Sequence, residues 1–149
     1  MGFIDSGVDD LSCFLIDLDH RTTRTPRSQV ASPITETFQR KVTQYVAWAD
    51  GEAAVDFDRG TWCGGAAVGS CFSSESGANI YNGVAYDAQM TMFDVDRNSD
   101  GSFAVPALYD IALPPAYKAG ARIHSNSWGT VGINSYTSRF VSSLAYVRE

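Results

Sequence analysis

Two histidines and three cysteines are all that the 149-residue chain offers for zinc or thiol chemistry. Cys13, Cys63 and Cys71 stand without a second cysteine pair or a nearby histidine, so no zinc-binding spacing runs through them. One disulfide with a leftover thiol and three buried thiols both remain open, and with them the redox compartment. Basic residues are scarce as well. Eleven Lys and Arg against 17 Asp and Glu leave a formal net charge of -6, which disfavours a general nucleic-acid or anionic-membrane surface. No apolar run nears the length that crosses a bilayer, and MGFIDSGVDD at residues 1–10 shows no signal-peptide pattern. No internal repeat or low-complexity tract is visible. What the chain does have is 44% hydrophobic and 12% aromatic residues, enough for the core of one domain.

Both ends read as cut. GFID is the tail of a strand with almost no strand before it. SRFVSSLAYVRE reads as a helix with Phe140, Val141, Leu144 and Val147 on one side, running straight into the C-terminus. The expectation is a piece of a larger domain.

Between the ends, HRTTRTPR at residues 20–27 is polar and basic and reads as an exposed loop. KVTQYVAWA alternates and is rich in β-branched and aromatic residues, so a strand is expected, followed by a loop over GEAAVDFD. The small residues from Gly64 predict a helix packed tightly on a sheet. SSESGANIYNG reads as loop, VAYDAQMTMFDV carries another strand, and DRNSDGSFAVP is loop again. Pro106, or Pro114 with Pro115, marks a helix start and Gly120 a helix stop. ARIHSNSWG is then a strand running into a turn. Strands alternating with helices predict an α/β fold with a doubly wound, mainly parallel sheet. Function gathers at the carboxyl ends of such strands, where Asp5, Asp94 and Ser125 to Gly129 fall.

Four blocks in this order carry a resemblance. FIDSGVD is similar to a hydrophobic strand followed by Asp-Thr/Ser-Gly. RGTWCGGAAVG is similar to His-Gly-Thr-His/Trp with small residues after it. NGVAYDAQMTMFDV is similar to a Gly-Val-Ala-Pro-Asp-Ala segment, with Tyr86 in the proline's place. ARIHSNSWG is similar to a substrate-lining strand ending Ser-Leu/Trp-Gly. Together they span most of the chain, which resembles the amino-terminal part of a subtilisin-like serine protease domain (peptidase family S8). The resemblance implies an incomplete subtilisin-like sheet over residues 1–149 and hydrolysis of protein or peptide substrates through an Asp-His-Ser triad in that chain order.

Residue by residue, the resemblance makes Asp5 the triad aspartate and Ser127, Trp128 and Gly129 one wall of a cleft that pairs with an extended peptide. Arg59 falls on the family's histidine. Arginine keeps its proton at any working pH and cannot serve as a general base. His20 lies in the basic loop and His124 within the lining strand, so neither is promoted to base. The serine and oxyanion-asparagine segments would fall after Glu149. The expectation is therefore an inactive fragment; its rival is a non-catalytic pseudoprotease that binds peptides or regulates. A third reading, an unrelated α/β domain with chance matches, has no positive feature to support it.

Two lesser motifs complete the reading. No cofactor is needed for the chemistry, although subtilisin-like proteins often bind structural calcium. DRNSDG at residues 96–101 opens like a calcium loop but has Ala107 where an EF-hand needs Glu, so a solvated turn is expected. GGAAVG misses the spacing of a dinucleotide fingerprint. By resemblance alone, the whole protein is expected to be secreted or membrane-associated.

Overall fold

Strand-length apolar runs buried on both faces set the architecture. A computed structural model describes residues 1–49, 59–72, 77–95 and 104–129. Its five strands are β1 (Gly2–Asp5), β2 (Arg24–Pro26), β3 (Val42–Ala47), β4 (Met90–Asp94) and β5 (His124–Ser125). They form one sheet in the order β2-β3-β4-β1-β5, with every pairing parallel. Helix α1 (Arg59–Val68) precedes β4, and α2 (Leu113–Lys118), continuing from a π-helical turn at Leu108–Ala112, precedes β5. This is the parallel α/β arrangement that the alternation of elements predicts.

The register sorts the core into two layers. Phe3, Met92 and Tyr45 are aligned across β1, β4 and β3 and pack with Val8, Leu15 and Val68, the last from α1. Ile4, Phe93 and Val46, one residue further along each strand, pack instead with Val105, Leu108, Ala112 and Leu113 before and within α2. Successive side chains point to opposite faces, so α1 and α2 cover opposite sides of the sheet. All six residues of β3 are consequently buried, and so is each residue of β4. Pro114 and Pro115 sit in the first turn of α2, where a missing N–H costs nothing. Gly120 ends the helix with φ near 100°, a left-handed backbone that glycine tolerates.

Several expectations change. HRTTRTPR is not simply a loop: Arg24–Pro26 pairs with Tyr45–Ala47 as an edge strand. Thr25 is fully buried there, its Oγ1 accepting the Ile34 N–H at 2.9 Å. Proline is admissible at such an edge because only one side of the strand needs its ladder bonds. The charges hid the strand because Arg24 spends its guanidinium locally, on Asp10 at 3.1 Å and over the Tyr45 ring at 5.1 Å. α1 starts at Arg59, five residues earlier than Gly64. The strand in ARIHSNSWG is only two residues long. The expected helix over 138–149, the loop over 51–58 and the candidate calcium turn lie outside the described residues.

Candidate active site

The carboxyl end of the sheet is built around Asp5, which closes β1. Only 2% of Asp5 is exposed, and one carboxylate oxygen accepts the Ser6 N–H at 2.9 Å. The turn that follows, with Gly7 at φ 78°, brings the chain under the first turn of α1. The contact is close enough to dictate sequence. A Cβ added at Gly60 would lie 1.9 Å from the Gly7 carbonyl oxygen and 3.3 Å from the Asp5 Cβ. Thr61 completes the junction, its Oγ1 accepting the Asp9 N–H at 2.8 Å. The Gly-Thr of the motif thus docks the helix on the turn, and the partial positive charge of the helix N-terminus favours a carboxylate there. Arg59, the first residue of α1, is half-buried at this head. Further along, Gly64 lets the helix lie against the tip of Met90, which a Cβ would meet at 3.0 Å.

Asp5 has a neighbour whose importance the sequence reading did not bring out. Asp94 is its register partner on β4, so the two carboxylates share the α1 face, and Asp94 is 3% exposed. The Tyr45 hydroxyl donates to Asp94 Oδ2 at 2.8 Å. Burial, and then the Asp94 charge, push the Tyr45 phenol well above its usual range. The hydroxyl therefore stays protonated and able to donate. The only hint in the sequence was an acidic residue ending an apolar strand. Tyr45→Phe should cost about 1–3 kcal/mol, because it removes a hydrogen bond to a buried carboxylate; a urea-denaturation midpoint measures this.

The third segment reaches the same end of β1 from the other side. Among the described residues β5 pairs with Gly2 and Phe3 alone, and Ser127, Trp128 and Gly129 follow it. The Trp128 indole donates to the Ile4 carbonyl at 2.8 Å and the half-buried ring packs against the α2-side core. Ser127 is half-buried and Gly129 exposed. The chain therefore brings Asp5, the head of α1 and residues 127–129 to one edge of the sheet. The Trp128 ring itself lies on the opposite face from the Asp5 carboxylate.

The histidines do not join them. His20 is exposed beside Asp17 at 3.5 Å. His124 covers Gly2, where a Cβ would fall 2.5 Å from its Cδ2. Both His124 ring nitrogens are shut off from solvent, and neither makes a well-aligned hydrogen bond among the described residues, the Asn126 side chain being a weak contact only. Burial is the main cause that lowers its pKa to about 4; Asn126 partly offsets the effect and the Met1 ammonium adds a little to it. The unfolded chain titrates near the ordinary value of 6.5, so it binds the proton more tightly than the fold does. Stability should be full above about pH 6.5 and fall by up to about 3 kcal/mol as pH drops through 4. His124→Gln should flatten that part of a plot of Tm against pH.

Among the described residues no three or more His, Cys, Asp or Glu side chains gather to hold a metal, and no helix is long and apolar enough to cross a membrane. The three cysteines are thiols, Cys13 exposed and the other two half-buried.

Comparison with known proteins agrees with the motif order. The chain is similar to two Dictyostelium discoideum proteins, the serine protease/ABC transporter B family proteins tagB and tagD. It is 31% identical to each, over 136 and 138 residues, which is 91% of this chain in both cases. The chain spans only 7% of the length of these relatives. No solved structure matches it. The model of the subtilase family (Peptidase_S8) matches residues 2–148, and the chain belongs to that family.

Proposed function

We propose that the chain is part of a subtilase domain in which Arg59 has replaced the general base, so that its peptide cleft no longer hydrolyses. The ancestral reaction is attack of a serine on a peptide carbonyl, with the histidine taking the serine's proton and the aspartate orienting the histidine. The carrying observation is the position of Arg59, first residue of a helix whose second residue abuts the buried Asp5. A guanidinium brought to Asp5 from there would pair with it by a charge-assisted hydrogen bond, and so would imitate the Asp–His contact without its chemistry. By analogy with removal of this histidine elsewhere, activity falls by roughly a millionfold. Ser127 to Gly129 retain a backbone edge to which an extended peptide adds as a strand.

A second reading follows from the same edge: a non-catalytic module that binds peptides or regulates a partner. The names of the relatives join a serine protease to an ABC transporter, which supports membrane association of the whole protein; its substrates are proteins or peptides. The test offers the full-length protein a quenched peptide library. No cleavage is expected. Saturable peptide binding without turnover favours the binding module, no binding favours a decayed enzyme, and turnover abolished by Asp5→Asn contradicts both.

A further inference from the structure

Two of the three cysteines are brought side by side by segments 50 or more residues apart in sequence. The loop after β1 makes a turn whose Leu15 and Ile16 N–H groups both bond to the Ser12 carbonyl, which fixes residues 12–16 as a compact unit. The segment leaving α1 runs beside it. Ser70 N–H donates to the Phe14 carbonyl at 2.9 Å and Phe72 N–H to the Cys13 carbonyl at 3.3 Å. Cys71 therefore lies between two residues that are hydrogen-bonded to Cys13 and its immediate neighbour. Covalent geometry on either side of the second bond keeps the α-carbons of Cys13 and Cys71 within about 8 Å. A disulfide needs roughly 4.4–6.8 Å, a distance reached by a small movement of two surface segments.

The surroundings hold this arrangement in place. Cys71 N–H donates to the Asn82 side chain at 2.7 Å. Arg40 bonds to the Ile16 carbonyl at 2.7 Å and to the Ser70 carbonyl and hydroxyl at 3.0 and 2.8 Å, so one guanidinium ties both segments together. Its Nη2 is buried without a hydrogen-bond partner among the described residues, and Cys71 lies within electrostatic reach of it. Cys63 sits two helical turns earlier in α1, on neither of the paired segments.

We propose that Cys13 and Cys71 form a reversible disulfide, with Cys63 left as the free thiol. Exposed Cys13 is the point of entry. Its thiolate attacks one sulfur of a small disulfide such as oxidised glutathione, expelling one glutathione thiolate. The Cys71 thiolate then attacks the Cys13 sulfur of the mixed disulfide and expels the second. Two protein thiols are oxidised, one glutathione disulfide is reduced to two glutathione molecules, and the protons from the protein thiols pass to the products. The bond closes a loop of roughly 60 residues and constrains the unfolded chain accordingly. It also clasps the loop rooted at Asp5 to the exit of the helix headed by Arg59. Oxidation thus stiffens the frame of the candidate site, whether or not that site hydrolyses anything.

The experiment incubates the full-length protein with defined ratios of reduced to oxidised glutathione, alkylates the remaining thiols, and maps cross-linked peptides by mass spectrometry. Because Cys63 and Cys71 share a tryptic peptide, the Cys63→Ser and Cys71→Ser variants assign the bond. The native protein and Cys63→Ser should give a single link to Cys13 and a Tm higher by about 5–10 °C. Cys71→Ser should give none, with Cys13 ending as its mixed disulfide. A urea-unfolded control should pair its cysteines without preference. A link through Cys63 in native buffer, a statistical mixture of pairs, or unlinked Cys13 and Cys71 under excess oxidised glutathione would each overturn the proposal.

Discussion

Replacing Arg59 by histidine in the whole protein should raise peptide hydrolysis by roughly a millionfold, provided that the rest of the chain supplies the family's serine and oxyanion asparagine. The size follows from chemistry. A serine hydroxyl is a weak nucleophile until a base takes its proton, and a guanidinium with a pKa above about 12 has no free lone pair at working pH. Geometry makes the replacement feasible. The helix that carries position 59 is locked to the end of β1 and the turn after it through Gly60 and Thr61, so the backbone at position 59 is held in a fixed place. The gain should appear mainly in kcat, because the base acts in the transition state and contributes little to substrate binding. Asp5→Asn added to Arg59→His should then remove most of the gain, since the aspartate sets the tautomer of the imidazole. An equal rate for the Arg and His proteins would mean that position 59 is not the site of the base.

The second large effect is structural. Gly60→Ala should cost about 3 kcal/mol or more, and Gly60→Val should prevent folding, because the new Cβ meets backbone rather than a movable side chain. The Gly7 carbonyl oxygen, at 1.9 Å, can retreat only if the turn after Asp5 moves. Gly65, in the same helix, is the control. Nothing lies within 4 Å of a Cβ added there, so Gly65→Ala should be stabilising by up to about 1 kcal/mol through helix propensity. Thermal unfolding of the two alanine variants separates a steric requirement from a general intolerance of change in α1.

What could be read in advance was whatever depends on local pattern. β3 and β4 are apolar and β-branched or aromatic, and proline and glycine punctuate α2, so these elements announce themselves. The motif order assigns Asp5 and position 59 to one site, and the fold sets Gly60, the neighbour of Arg59, against Asp5. β2 escaped because three residues with an arginine and a proline carry no periodicity. Their strand character comes from β3, which offers Tyr45 to Ala47 for pairing, and no local signal encodes that. α1 was started too late because Gly60 is a poor helix former and Thr61 to Cys63 are middling ones; the helix begins there because Gly60 and Thr61 dock on the turn after β1. Asp94 and Tyr45 are far apart in sequence, and their bond exists only because β3 and β4 are neighbours. The pairing of loop 12–16 with residues 70–72 is long-range in the same way, which left the cysteine arithmetic undecided.

The claim that Arg59 has silenced a subtilase site is tested most directly by covalent labelling. A fluorophosphonate reagent reports an activated serine in a single turnover and needs no knowledge of the substrate. The full-length protein with Arg59 should remain unlabelled under conditions that modify its Arg59→His variant to completion. Stoichiometric labelling of the Arg59 protein, lost on Asp5→Asn, would contradict the account.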